Sequence, residues 1–278
     1  MIKKLTFLLA FFAFSNAFSQ SSSDLGDDKY RPNMGQSGKD VIWIPTGNEL
    51  VNKMLKIANV GPSDLLYDLG AGDGKIAIAA AKDFGARAVG IEFNPDMAAL
   101  GQRNAERAGV ANKVKIIQGD IFKEDFSKAT VVTLYLLPEL NQQLRPTILK
   151  MKPGTRVVSH AFDMGDWKAD AEIDNPAKGY FWVVPANVSG EWVLDSFDSK
   201  SSTILNLSQK FQYVGGNITL GKKAQPILNA DLKGDKLQFS YIDDMNNLRT
   251  VRLSFDGSNI KGEENSNYMI REFSGFKR

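Results

Sequence analysis

From Asn48 onward the chain alternates between two hydrophobic periods. Leu50, Val51, Met54, Leu55 and Ala58 recur at three- and four-residue steps, which puts them on one side of a helix. Thr46-Gly47-Asn48-Glu49 ahead of them matches a capping box, and Gly61-Pro62 stops the helix. Residues 65–69 read as a short apolar strand, 74–82 as an alanine-rich helix and 88–92 as a second strand. Asn94-Pro95 caps a helix running through Ala108, with proline in its first turn, and Gly109 ends it. A strand follows over 114–118. Residues 131–136 are almost uninterruptedly apolar, as a strand buried on both faces requires. Pro138 opens a helix ending near Lys152, and Pro153-Gly154 turns into a strand over 156–159. Strand–helix units of this length predict an α/β fold with a mostly parallel, doubly wound sheet.

After about Pro185 only strands are predicted: 191–194, 203–207, 212–214, 218–220, 227–232, 237–242, 250–255 and 268–273. Leu237, Phe239 and Tyr241 share one face, and Gln238, Ser240 and Ile242 the other. Turn chemistry at Gly215-Gly216-Asn217, Lys233-Gly234-Asp235, Asn246-Asn247 and Asp256-Gly257-Ser258 separates them. The region reads as a small all-β antiparallel meander, a barrel or a sandwich. A boundary near Pro185-Ala186 divides the chain into an α/β domain over 41–185 and a β-rich domain over 186–278.

The first residues follow another logic. Lys3 and Lys4 precede an apolar run over 5–14, interrupted only by Thr6, and small residues follow at Ser15, Ala17 and Ser19. This is the layout of a secretory signal peptide over 1–19, cleaved before Gln20 or before Phe18. The run is about half as long as a membrane-spanning helix. The expectation is an exported protein, periplasmic or secreted, with no transmembrane segment once the signal is removed; an uncleaved N-terminal anchor is the alternative. Residues 20–40 are polar and aperiodic and read as a flexible leader.

Composition narrows the chemistry. The 278 residues include no cysteine, which excludes disulfides, a thiol nucleophile and thiolate metal sites. A single histidine, His160, excludes a histidine-rich metal site. Lys and Arg number 34 against 32 Asp and Glu, and without Lys3 and Lys4 the count balances at 32 against 32. A neutral chain argues against a nucleic-acid partner, which ordinarily meets a basic face.

The candidate site is Asp68-Leu69-Gly70-Ala71-Gly72-Asp73-Gly74, where the first predicted strand turns into a helix. Glycines let the backbone bend sharply and approach a ligand that a Cβ would exclude. A dinucleotide fingerprint requires glycine at position 75, where Lys75 stands. The acid at the strand end repels a pyrophosphate and suits a cofactor carrying a cationic amine. Glu92, ending the second strand, has the spacing of a ribose-binding acid. Asp120, after the third strand, completes a set of three carboxylates on the edge where open α/β sheets bind ligands.

Residues 41–185 resemble a class I S-adenosylmethionine (SAM) methyltransferase. Four stretches carry the resemblance: 41–46 (VIWIPT), 67–74 (YDLGAGDG), 133–138 (TLYLLP) and 154–160 (GTRVVSH). They are similar to a group of exported bacterial methyltransferase-like proteins and to the mitochondrial lysine methyltransferases acting on the ATP synthase c subunit. The resemblance implies a Rossmann-like domain with SAM as cofactor. Asp68, Gly70, Gly72 and Gly74 would form the loop around its methionine portion, Glu92 would bind the ribose, and Asp120 with Ile121 would frame the adenine. Tyr135, Leu136 and the residues to Pro138 would lie beside the sulfonium, and residues 43–46, Thr46 included, would cover the cofactor. Tyr135, His160 and Asp163 are the acceptor-side candidates, with Tyr135 and His160 carried as catalytic. Trp167 and Trp182 are expected in the core. The expected activity is methyl transfer to an acceptor, a protein lysine amine by resemblance. The alternatives are a small-molecule acceptor, or an exported binding protein that keeps the fold without turnover.

Overall fold

The computed structural model describes residues 25–195, 203–266 and 269–278. The signal-peptide expectation over 1–19 lies outside the described residues. The first half contains α1 (Asn48–Ile57), β1 (Leu65–Leu69), α2 (Lys75–Phe84), β2 (Arg87–Glu92), α3 (Pro95–Arg107), β3 (Val114–Gln118), β4 (Val131–Leu134), α4 (Pro138–Ile148), β5 (Arg156–His160), β6 (Ala171–Ile173) and β7 (Gly179–Val183). Its seven strands form one sheet in the order β3-β2-β1-β4-β5-β7-β6. The pairs β3–β2, β2–β1, β1–β4 and β4–β5 are parallel, whereas β7 runs antiparallel to both β5 and β6. This is the expected Rossmann-like α/β sheet, with two added strands. The sequence pattern does not show those two. One is three residues long, and the other, GYFWV, carries no alternation.

Strand alternation sorts the core into two layers. On one side Leu66, Ala88, Val131 and Val158 pack with α1 and α2 through Leu50, Met54, Leu55, Ile76 and Ala80. On the other, Val132, Leu134 and Val157 pack with Leu144 and Ile148 of α4 and with Trp167 and Trp182. Both tryptophans are fully buried, as expected, and Trp182 Nε1 donates to the Trp167 carbonyl at 2.9 Å. Because both faces are covered, β4 is buried at every position, which explains its continuous apolar sequence.

The second half is β8 (Gly190–Asp195), β9 (Thr203–Lys210), β10 (Tyr213–Leu220), β11 (Lys223–Pro226), β12 (Leu228–Lys233), β13 (Lys236–Ile242), β14 (Leu248–Asp256), β15 (Asn259–Ser266) and β16 (Met269–Lys277). They form a nine-stranded antiparallel sheet in the order β11-β10-β9-β8-β16-β15-β14-β13-β12. The two edge strands are consecutive, β11 running into β12 through Ile227, and β12 also lies against β10, so the sheet is nearly closed and barrel-like. Leu237, Phe239 and Tyr241 face inward together with Trp192, Leu205 and Val251.

Two details differ from expectation. Gly215-Gly216-Asn217 is not a turn but the middle of β10. There Gly216 lies so close to β9 that a Cβ would stand 1.9 Å from the Asn206 carbonyl oxygen, a contact only glycine permits. The turn falls instead at Phe211-Gln212, between the paired Lys210 and Tyr213. β11 and β15 are absent from the sequence prediction, because residues 223–226 (KAQP) and 261–265 (KGEEN) hold no apolar alternation, and their partners supply their pairing.

The two sheets are joined by a few contacts between their loops. Phe211 stacks on Trp167 with centroids 6.1 Å apart, and Gln212 Nε2 donates to the Lys168 carbonyl. The Ala186 amide donates to the Gly234 carbonyl at 2.8 Å.

Candidate active site

β1 lies between β2 and β4, so the connections leaving β1 and β4 diverge and open a crevice at their C-terminal ends. A cavity of ≈ 620 Å³ occupies it. The glycine loop forms the floor. Gly70, Gly72 and Gly74 all take positive φ, at 82°, 55° and 82°, a region costly for residues with a Cβ. At Gly72 the reason is also steric, since a Cβ would sit 2.5 Å from the Trp43 indole nitrogen. Gly70 and Gly72 line the cavity, whereas Gly74 does not. It precedes α2 with its Cα side against the Gly101 backbone, where a Cβ would stand 3.4 Å away. The structure therefore gives Gly74 a place in packing the loop on α3, whereas the sequence reading put it among the cofactor-binding residues of the loop.

The three strand-end acids converge on the cavity, each with distinct surroundings. Asp68 is buried and accepts the Thr133 hydroxyl at 2.7 Å. Burial pushes its carboxyl up to about 7, and the nearby Asp73 and Glu92 add to the rise. Burial likewise raises Asp73, against the pull of Lys75. Glu92 accepts the amides of Gly72 and Asn94, each at 2.9 Å, and so ties the glycine loop to the start of α3. Asn94 caps that helix as expected, accepting from the amides of Asp96 and Met97. A cluster of carboxylates in a largely apolar cavity is electrostatically incomplete, and a cationic ligand is its natural complement. SAM carries both an ammonium and a sulfonium and fits this cluster. Asp68, Gly70, Gly72 and Glu92 all line the cavity.

Asp120 and Ile121 also line the cavity. Asp120 is already engaged, because Oδ1 accepts the Phe122 amide at 3.1 Å and Oδ2 accepts Lys39 Nζ at 3.0 Å. The amide contact and the Lys39 ammonium hold its carboxyl below the usual range.

Tyr135, Leu136, Leu137, Leu140 and Phe162 form the remaining wall. His160 lies behind it, not on it. Its ring packs against Tyr135 at a tilt of 32°, with centroids 3.8 Å apart, and its Nδ1 lies 3.0 Å from Thr46 Oγ1. Burial lowers His160 to about 4, so it is neutral at physiological pH. Thr46 lines the cavity, but its hydroxyl serves His160 and not a helix cap; the cap residue of α1 is Gly47, with no side-chain bond. The Thr46 carbonyl accepts Lys75 Nζ at 3.1 Å. Asp163 is exposed and away from the cavity. Asn141, which no sequence motif marks, is fully buried and donates to the carbonyls of Phe162 and Asp163 at 3.1 and 3.2 Å, holding the loop that presents Phe162.

Residues 43–46 are the expected cover of this site, but part of the roof, residues 36–40, comes from the segment expected to be a flexible leader. Residues 36–46 line the cavity, and Trp43 lies over Gly72. Further upstream Asp27 pairs with Arg103 at 2.6 Å and Arg107 at 2.9 Å on α3. Residues 25–40 are thus attached to the domain by specific contacts. The sequence hid this because these residues bind through isolated side chains and turns, without a hydrophobic period.

Comparison with known proteins places this arrangement. Residues 68–171 match the model of the ANTKMT methyltransferase domain. A protein-lysine N-methyltransferase of Saccharolobus islandicus is 46% identical over 129 residues, which is 46% of this chain and 80% of the relative. The ATP synthase C-subunit lysine N-methyltransferase of Mus musculus is 37% identical over 131 residues, 46% of this chain and 51% of that protein. A solved structure described as an RNA methyltransferase from Salinibacter ruber, in complex with S-adenosyl-L-homocysteine, is 50% identical, covers 52% of this chain and 96% of its own, and superposes with a TM-score of 0.51. From the glycine loop, the strand-end acids and the extent of these matches, the chain belongs to the ANTKMT methyltransferase family and is a SAM-dependent class I methyltransferase.

Proposed function

We propose that the methyl acceptor is a lysine amine carried on a protein. The observation that carries this reading is the wall formed by Tyr135, Leu137, Leu140 and Phe162, aromatic and aliphatic side chains beside the carboxylate cluster. An ammonium entering such surroundings loses hydration, and burial favours its neutral form. Only the neutral amine has a lone pair to offer. SAM supplies the methyl group together with its own leaving group. What remains for the protein is alignment and the exclusion of water, which Tyr135 and the Trp43 roof are positioned to provide. Burial raises the Tyr135 phenol, so it keeps its proton and can hydrogen-bond without adding negative charge. The names of the Saccharolobus and mouse relatives support the same acceptor.

A second reading rests on the Salinibacter neighbour, described as an RNA methyltransferase. Phosphate recognition calls for free cations around the mouth. The two lysines lining the cavity are engaged, Lys39 with Asp120 and Lys75 with the Thr46 carbonyl. Incubating a cell extract with labelled SAM and the purified protein separates the readings. Label recovered as methyl-lysine after acid hydrolysis of protein supports lysine; label in RNA, or in small metabolites alone, refutes it. We also propose that residues 1–19 direct export, on the strength of Lys3, Lys4 and the apolar run that follows. N-terminal sequencing of the fractionated protein should find a chain starting near Gln20, and a cytoplasmic chain retaining Met1 would overturn this.

A further inference from the structure

Residues 35–43 of the roof form a small antiparallel hairpin. The Gly35 amide donates to the Trp43 carbonyl at 2.8 Å, the Trp43 amide to the Gln36 carbonyl at 2.9 Å, and the Gly38 amide to the Val41 carbonyl at 2.8 Å. Ser37 and Ile42 pair between them. The turn is tight, since a Cβ on Gly38 would lie 2.5 Å from the Val41 carbonyl oxygen. Lys39 and Asp40 therefore stand at the tip.

The two ends of this hairpin are anchored differently from its tip. Upstream, Asp27 is gripped by Arg103 and Arg107. Downstream, Thr46 is held by His160 and Lys75, and Trp43 packs on Gly72. At the tip, one ion pair reaches across to the body of the domain, from Lys39 Nζ to Asp120 Oδ2. The Lys39 ammonium also lies 5.1 Å from the Phe93 ring centroid, against the side of the cavity where Asp120 and Ile121 lie. Residues 36–42 form part of the cavity wall, so lifting the tip opens that end while the base stays attached.

We propose that Lys39 is a cofactor-retaining residue: its bond to Asp120 latches the hairpin over the cavity, and release of the latch sets how fast the spent cofactor leaves. The inference rests on the reading that this cavity holds the cofactor. An exposed ion pair is weak enough to open readily, which suits a gate that must cycle at every turnover.

The test compares wild type with Lys39→Met, which keeps the aliphatic stem, and Lys39→Arg, which keeps the charge. Dissociation of S-adenosylhomocysteine is followed by stopped-flow displacement with Trp43 fluorescence as the signal. Lys39→Met should release ligand about two- to five-fold faster, the range of a single exposed ion pair, while Lys39→Arg stays near wild type. Raising NaCl to about 1 M should speed wild-type release toward the Lys39→Met rate and leave Lys39→Met unchanged. Equal release rates in wild type and Lys39→Met overturn the latch, as does an equal response of both to salt. The salt response of the wild type needs no variant to fold. Absence of S-adenosylhomocysteine binding to the wild type would instead refute the cavity assignment, and the latch with it.

Discussion

Replacing Asp68 by Asn should stabilise the protein at alkaline pH while weakening its hold on SAM. Asp68 is fully buried, and its carboxyl titrates at about 7 in place of its ordinary 3.8, chiefly because burial disfavours the charged form. A group whose folded pKa lies above its unfolded one favours folding fully below the unfolded value, and that advantage is lost as pH rises through the folded value. Between about pH 5 and pH 8 the unfolded chain is largely ionised at this position, whereas the folded chain ionises only near the upper end. Integrating the linkage for these two values, the wild type loses about 2–3 kcal/mol over that interval through Asp68 alone. Asn keeps the oxygen that accepts the Thr133 hydroxyl and carries no titrating proton. Urea denaturation of both proteins without cofactor, at pH 5 and pH 8, measures the effect. The Asp68→Asn variant should gain on the wild type by a few kcal/mol from the lower to the higher pH. Calorimetry with SAM at pH 8 should show at least tenfold weaker binding, because the cationic cofactor is what the buried carboxylate awaits. A stability difference that does not change with pH would refute the argument.

Three further changes test other parts of the site. Gly72→Ala forces a Cβ into a left-handed backbone conformation and against Trp43; melting should show a loss of about 1–2 kcal/mol, together with weaker SAM binding, and an unperturbed variant would contradict the close approach. Glu92→Ala removes the acceptor for the Gly72 and Asn94 amides, so SAM affinity in calorimetry should fall at least tenfold; unchanged affinity would detach Glu92 from the cofactor. Because His160 stays neutral down to about pH 4, methyl transfer should show no inflection from it between pH 6 and pH 8; an inflection near 6.5 that disappears in His160→Gln would make it a proton carrier.

Much of the α/β sheet was legible because its strands are short apolar runs punctuated by glycine and proline. β1 and β3 fall at the predicted residues, and Asn94 caps α3 as predicted. What stayed hidden lacked a period. β7 is an aromatic run against β5, β15 is a polar segment recruited by its neighbours, and Gly215-Gly216 carries the composition of a turn inside a strand. Thr46 shows the same limit at one residue. Its spacing to Glu49 satisfies the capping pattern, yet its hydroxyl finds His160, which is 114 positions away.

The sequence by itself determined the cofactor chemistry. A glycine loop after an apolar strand, Lys75 where a dinucleotide site needs glycine, and acids ending three successive strands are local facts, and parallel strand order brings them to one edge. Only the tertiary structure decided that residues 36–40 join the roof, and the roles behind the wall. Lys39 meets Asp120 across 81 positions and Asp27 meets Arg103 across 76, contacts between single side chains that leave no repeating trace in sequence. Burial, a property of the packed molecule alone, separates Asp68, raised by its enclosure, from Asp120, lowered by a backbone amide and Lys39.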